Sequence, residues 1–306
     1  MADFIEQLRD IVGDKGLVLH EDLQNRAAGY RHPDKTLEAR VLVRPASTDE
    51  VSKVLKLCND AGQAVVSHGG LTGLVDGNIA GADELILSME RMREIEEIDP
   101  ASSSMTVQAG VTLQTVQEAA EDAGFFFPLD LGGRGSATLG GNISTNAGGN
   151  RVVRYGMARD MVLGLEAVQA DGTVLSPLGK IVKDNAGYNL KHLFIGSEGT
   201  LGVVTRIVLR LRPMPASQQT AFLAVDEFGK LPKLLNFCNS RSGGTTSAFE
   251  VMWRNYFELV TSRPGAAQPL PNDYPYYVLT EMMGGDPAGD PERFETILGE
   301  ALEEGL

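Results

Sequence analysis

Hydrophobic positions recur along the chain in short blocks, each ended by a turn residue. Phe4, Leu8, Ile11 and Val12 fall on one helical face near the start. Val41 to Pro45 reads as a short strand stopped by proline. Ser47-Thr-Asp-Glu50 then has capping-box spacing, and Val51, Val54, Leu55 and Cys58 share the inward face of a helix running to Gly62. Ala64 to Ser67 is a strand that opens directly into the loop His68 to Gly77, which holds four glycines.

The grammar repeats. Thr112 can cap a helix with Leu113, Val116, Ala120 and Ala123 inward, and Gly124 ends it. Phe125 to Pro128 follows, then a second glycine-rich loop from Gly132 to Gly141. Lys191 to Gly202 gives a third, weaker pass before the strand Val203 to Leu211. Between them, Val162 to Ala170 and Val174-Leu175 flank Asp171-Gly172-Thr173, a hairpin signal. To about Pro213 this is an α+β pattern; it lacks the regular alternation of a doubly wound parallel sheet.

After a linker at Met214 to Ser217 the order is strand (Ala221 to Val225), helix (Glu227 to Asn239), strand (Thr246 to Val251), strand (Tyr276 to Met282), helix (Glu292 to Glu303). That is a ferredoxin-like split βαβ unit without its last strand, which predicts the front portion of a longer protein. The acidic run Asp286 to Glu304 reads as the solvated face of the last helix. Trp253, Tyr274, Tyr276 and Tyr277 read as packing residues of this second part.

Charge and composition narrow the function. The formal charge is -14, which excludes a broad nucleic-acid surface. No apolar run is long enough for a transmembrane helix. Met1 to Arg9 lacks a basic segment followed by an apolar stretch, so no signal peptide is predicted. The two cysteines, Cys58 and Cys238, make no disulfide framework, which leads to the expectation of a reducing, cytoplasmic setting.

Glycine is uneven: of 35 in the chain, 23 lie between Gly62 and Gly202, and seven between Gly132 and Gly149. A glycine-rich loop after a strand lets consecutive backbone amides converge on an anion. No Lys or Arg occurs from Leu57 to Glu90, and Arg134 is alone between Arg93 and Arg151. A phosphate held here therefore needs main-chain dipoles. Two such loops suit a long ligand with a central diphosphate, such as a dinucleotide. Rival constellations are missing: there is no G-x-x-x-x-G-K-[ST], no H-E-x-x-H, no C-x-x-C and no G-x-S-x-G. The four histidines are too scattered for a local metal motif. Glu198 reads as a structural carboxylate accepting loop amides, with a buried acid–base role as the other reading.

Four stretches in order, His68 to Gly77, Phe127 to Gly149, Arg154-Tyr-Gly156 and Lys183 to Gly202, resemble the FAD-linked oxidases of the vanillyl-alcohol oxidase or PCMH type. They look most like the branch of D-lactate dehydrogenase, glycolate oxidase flavoprotein subunit and D-2-hydroxyglutarate dehydrogenase. The resemblance implies a two-lobed FAD-binding domain over residues 1–213, with lobes of about 1–105 and 106–213, and a truncated cap domain over 214–306.

It also implies site residues. Gly69, Gly70, Leu71, Thr72, Gly73 and Leu74, after His68, would wrap the diphosphate. Pro128, Ser136, Thr138, Gly140, Gly141, Ser144, Thr145 and Gly149 would line the flavin and pyrophosphate. Glu198, Gly199, Gly202 and Val203 would approach the adenosine. Some relatives attach FAD to a His after the first Gly-Gly; Leu71 stands there, which implies non-covalent FAD.

Relatives carry their catalytic and metal-binding histidines in a later His-rich run that does not occur before Leu306, so catalytic residues stay unassigned and a divalent metal belongs only to a fuller-length form. The implied reaction is hydride transfer from a small D-2-hydroxy acid to FAD, with an unidentified electron acceptor and either a homodimer or a partner subunit. Two rivals stay open: a flavin-binding subunit without activity of its own, and an NADPH-dependent enolpyruvyl nucleotide-sugar reductase.

Overall fold

The computed structural model describes residues 2–306; Met1 and the side chains of Ala2, His20 and Glu21 lie outside the described residues. The chain gathers into two units. The first comprises Met1–Phe127, Leu131–Ala147 and Met157–Arg212; the second comprises Pro128–Asp130, Gly148–Gly156 and Pro213–Leu306.

The first unit holds two sheets. In spatial order, one runs Leu17–Leu19, Val41–Val43, Leu85–Ser88, Val65–His68. Its last three strands are parallel, with Val43 and Ser67 both opposite Leu87. Parallel neighbours need a crossover, and the helix Thr48–Asp60 lies between the strands Val41–Val43 and Val65–His68 in the chain. Its start follows the capping logic: the Ser47 hydroxyl accepts the Glu50 amide at 3.2 Å, while the Glu50 carboxylate accepts the Ala46 amide at 2.7 Å. Val51, Val54 and Cys58 are buried beneath it.

The other sheet is antiparallel throughout, in the order Ile95–Asp99, Ser104–Gln108, Val203–Arg210, Val162–Val168, Val174–Leu175. Gly172 turns the predicted hairpin with φ +86. Thr112 caps Leu113–Asp122 by accepting the Thr115 amide at 3.3 Å. The strand Ile95–Asp99 carries no hydrophobic alternation, because Glu96 and Glu97 face outward to Arg206 and Lys180. Pairing partners, not side-chain pattern, specify it.

In the second unit the strand order is Ser217–Val225, Tyr276–Gly284, Thr246–Trp253, each pair antiparallel. The last strand in sequence lies between the first two, the split βαβ arrangement. Helices Leu231–Arg241 and Asp290–Glu303 contribute Leu234, Phe294 and Ile297 to a core with Val225, Val278 and Met282.

Alternate strand residues point the other way. Tyr277 is fully buried and stacks on Phe257 at 3.9 Å between ring centroids. Phe257 belongs to a helix, Arg254–Thr261, that the hydrophobic pattern does not predict. Phe257 is its one buried residue, and the helix is only eight residues long. The unit is therefore β-α-β-α-β-α where the pattern gives β-α-β-β-α. Tyr276 and Tyr277 pack as expected, whereas Trp253 meets Tyr276 edge-on yet stays 53% exposed.

Glu281 is buried near the end of the central strand. Its carboxylate accepts Arg151 Nε at 3.1 Å and the Ser247 hydroxyl at 2.7 Å, with Gln218 as a further donor. Arg154 donates to the carbonyls of Thr245 and Met283. These bonds tie the segment Gly148–Gly156 to the sheet.

Candidate functional site

Three loops of the first unit converge on a cavity of about 530 Å³. The first leaves the strand Val65–His68. His68 is 3% exposed, and its Nε2 meets the Asn78 carbonyl at 2.7 Å, closing the base of the loop. Burial holds its pKa below the ordinary histidine value; the bond to Asn78 opposes that shift and nearby Arg26 adds to it. The neutral ring therefore donates from Nε2.

Gly69 and Gly70 pass against the second loop with no room for side chains. A Cβ on Gly69 would lie 2.6 Å from Thr138 Oγ1, and one on Gly70 would lie 1.9 Å from the Ser136 carbonyl oxygen. Leu71 takes a left-handed conformation, φ 55. Two of the loop's carbonyls are engaged by the protein: Leu71 O accepts the Tyr30 amide at 3.0 Å and Leu74 O accepts the Arg31 guanidinium. Its amides are not. Among the described residues, no protein group accepts from the N–H groups of Gly70 to Leu74. Consecutive amides without protein acceptors, beside a residue in the left-handed conformation, are the arrangement of an anion-binding nest.

The second loop is fixed by bonds from the Ser136 and Ala137 amides to the Gly133 carbonyl, at 3.0 and 2.8 Å. It enters the short helix Leu139–Ser144, where Thr138 Oγ1 accepts the Gly141 amide at 3.4 Å. The third loop is pinned to the end of that helix, with the Glu198 amide donating to Ser144 O at 2.8 Å. Gly199, at φ +79, brings its backbone beside Ser67.

Most of the expected residues meet here. His68 to Leu74, Thr138, Gly140, Gly141, Ser144, Thr145, Glu198, Gly199 and Val203 line the cavity. Ser136 does not line it and lies behind Gly70. Gly202 lines an adjoining cavity of about 410 Å³, which shares Ser67, Gly199 and Val203 with the first. Pro128 and Gly149 fall in the second unit, where Asp130 and Gly149 form a parallel bridge.

Glu198 departs from expectation. It is exposed, its backbone is left-handed at φ 52, and its carboxylate accepts no loop amide among the described residues. Among the lining residues that the motifs did not single out are Asn78, Ala109 and Asn142. Ala109 is signalled only by contact, since a Cβ on Gly140 would lie 2.7 Å from its own Cβ.

Charge around the loops is more balanced than the sequence suggests. Arg31 reaches the outer side of the first loop from a distant segment and faces Asp76 at 3.5 Å. Arg26 and Arg44 converge on Glu90. Burial alone would raise the Glu90 pKa, but their hydrogen bonds outweigh it and hold the carboxyl ionised below its usual range. Among the described residues no cluster of His, Cys, Asp and Glu is placed to hold a metal ion, and no helix is long and apolar enough to cross a membrane.

Comparison with known proteins agrees with this geometry. Residues 39–176 match the FAD binding domain family, and residues 214–306 match the C-terminal domain of FAD linked oxidases. A probable mitochondrial D-2-hydroxyglutarate dehydrogenase of Oryza sativa subsp. indica is 42% identical over 307 residues, covering 100% of this chain and 55% of the relative. The mitochondrial D-2-hydroxyglutarate dehydrogenase of Bos taurus is 42% identical over 268 residues, covering 88% of this chain and 49% of the relative. The chain thus spans about half the length of these curated relatives.

Solved structures share the fold at low identity. An alkyldihydroxyacetonephosphate synthase superposes with TM-score 0.80 at 18% identity, over 99% of this chain and 58% of that one. A p-cresol methylhydroxylase with substrate bound gives TM-score 0.75 at 16% identity, over 99% and 64%. The relatives' names correct one expectation: they are mitochondrial proteins, which conflicts with a cytoplasmic assignment. Two buried free thiols do not single out the cytoplasm.

Proposed function

This chain belongs to the FAD-linked oxidases of the PCMH type, and on that premise we propose that it oxidises a D-2-hydroxy acid, with D-2-hydroxyglutarate as the leading substrate. The domain reading goes with it: an FAD-binding domain over 1–213, in two lobes, and the first part of a cap domain over 214–306.

The observation that carries the reading is the first loop, whose amides from Gly70 to Leu74 face no protein acceptor. The residues fit FAD. A diphosphate supplies the acceptors these donors lack, and the glycines at 69, 70 and 140 keep the walls thin enough for loops to close on it. The cavity, together with its neighbour, gives about 530 and 410 Å³, suited to a dinucleotide held by its middle.

When bound, FAD supplies the hydride acceptor for oxidation of an α-hydroxyl carbon. The chain's own part is placement. The amides of Gly70 to Leu74 bind and orient the diphosphate, Thr138, Ser144 and Thr145 offer hydroxyls along the wall, and the buried His68 holds the loop by its bond to Asn78. Leu71 offers no nucleophile at the point where a histidine could form a covalent link, so the cofactor is held non-covalently. The group that removes the substrate's hydroxyl proton is not assigned to any of these residues.

The test is an anaerobic titration of the FAD-loaded protein with D-2-hydroxyglutarate, its L isomer, D-lactate and glycolate. Bleaching of flavin absorbance by a D-hydroxy acid supports the reading. Bleaching by NADPH with none by any hydroxy acid overturns it in favour of the reductase.

A further inference from the structure

Residues 26–37 turn back on themselves: Ala27 and Thr36 form an antiparallel bridge, and the Ala28 amide donates to the Lys35 carbonyl at 2.7 Å. The far end of this hairpin meets the first glycine loop at five points. The Asn78 side-chain amide donates to the Ala28 carbonyl, the Tyr30 amide to the Leu71 carbonyl at 3.0 Å, and the Arg31 guanidinium to the Leu74 carbonyl. Asp76 faces Arg31 Nε at 3.5 Å and accepts His32 Nε2 at 3.0 Å. Among the described residues, none of the hairpin lines the cavity.

A trans peptide carries its C=O and its N–H on opposite sides of the chain, and no peptide bond among the described residues is cis. Binding the Leu71 carbonyl to the hairpin therefore aims the Thr72 amide away from it. Binding the Leu74 carbonyl does the same for the Val75 amide. Thr72 and Val75 line the cavity, and among the described residues neither amide has a protein acceptor. Leu71 and Asp76 hold left-handed backbones at φ 55 and 62. Residues with a Cβ keep that conformation at an energetic cost, so the loop needs partners that hold it there.

We propose that Arg31, anchored by Asp76, is a positioning residue for diphosphate binding: it fixes peptide planes of the first loop so that their amides face the ligand, without touching the ligand itself. The inference rests on the FAD reading above and extends it to a segment outside the glycine motifs. Charge alone gives Asp76 the opposite role, since a carboxylate beside an anion site repels the anion. Here the carboxylate favours the anion by orienting Arg31.

The experiment titrates the apo forms of the parent chain, Arg31→Ala, Arg31→Lys and Asp76→Asn with FAD, ADP and riboflavin by calorimetry. Arg31→Ala weakens FAD and ADP alike, by about fivefold, while riboflavin, which has no diphosphate, binds unchanged. Lysine keeps a donor for the Leu74 carbonyl, so Arg31→Lys recovers most of the loss. Asparagine tolerates the left-handed backbone, yet Asp76→Asn also weakens FAD and ADP, although it removes a negative charge. The Arg31 and Asp76 side chains are 54% and 45% exposed. Such pairs add little to stability, so the apo variants melt close to the parent.

Unchanged FAD affinity in Arg31→Ala overturns the proposal. Tighter FAD binding by Asp76→Asn overturns it too, since that marks a purely electrostatic effect. Riboflavin weakened in step with ADP, together with a lower melting temperature, marks a structural role and overturns it as well. A parent chain that binds neither FAD nor ADP refutes the FAD reading itself and is distinguishable from each of these.

Discussion

The Cα of Gly70 packs so closely on the Ser136 carbonyl that a Cβ would sit 1.9 Å from its oxygen. Two loops 66 residues apart in sequence thus meet backbone to backbone. Gly70→Ala forces them apart, at a cost of about 1–3 kcal/mol in stability and with loss of FAD binding. Gly73 is the control: nothing lies within 4 Å of its added Cβ, so Gly73→Ala leaves the melting temperature nearly unchanged. Thermal unfolding of both variants checks the contrast.

Glu281 gathers Arg151, Gln218 and Ser247 in the second unit, with the Arg151 and Glu281 side chains 15% and 8% exposed. Removing one partner of a buried pair leaves the other charge uncompensated. Glu281→Ala is expected to cost about 3–5 kcal/mol, and Glu281→Gln less, since the shape and one acceptor remain. Urea denaturation curves measure both.

His68 gives a pH dependence with a definite sign. Its pKa in the folded chain lies below the ordinary value because of burial, so the unfolded state takes up a proton first as pH falls. Its contribution is complete above about pH 6.5 and is lost progressively as pH drops toward the folded pKa. His192, also depressed by burial, acts in the same window. The measurement is therefore a difference: His68→Gln, which keeps a donor for the Asn78 carbonyl, flattens the fall in melting temperature between pH 7 and 5. An unchanged slope contradicts the assignment.

Cys58 and Cys238 are both buried, and burial pushes the Cys58 thiol up to about 12. Native protein at pH 8 should react with neither a thiol-disulfide reagent nor iodoacetamide on the timescale that labels free cysteine. Both cysteines label once the chain is unfolded. Rapid labelling of either in the native state contradicts their placement.

The sequence revealed what is local. Ser47, Thr112 and Thr138 each cap the helix that follows, and the first two are legible because an amphipathic stripe follows the cap. Glycine clusters marked the loops, and fourteen of the expected residues from Gly69 to Val203 lie in the cavity lining. What stayed hidden depends on partners far along the chain. Arg31 comes to the first loop from outside any motif, and the helix Arg254–Thr261 forms around a single buried ring. Glu198 was expected to accept loop amides because of its neighbours, yet its left-handed backbone leaves it exposed. Asn142 stood inside a recognised motif, but only three-dimensional packing shows that its amide lacks a partner.

Whether the unpaired amides of the first loop hold FAD is measured by equilibrium dialysis of the purified chain against FAD, followed by acid or heat denaturation. One FAD is expected per chain, with flavin absorbance carried by the folded protein and all of the flavin released to the supernatant on denaturation. A chain that stays colourless and takes up no FAD contradicts the site; flavin that precipitates with the denatured protein contradicts the non-covalent attachment expected from Leu71.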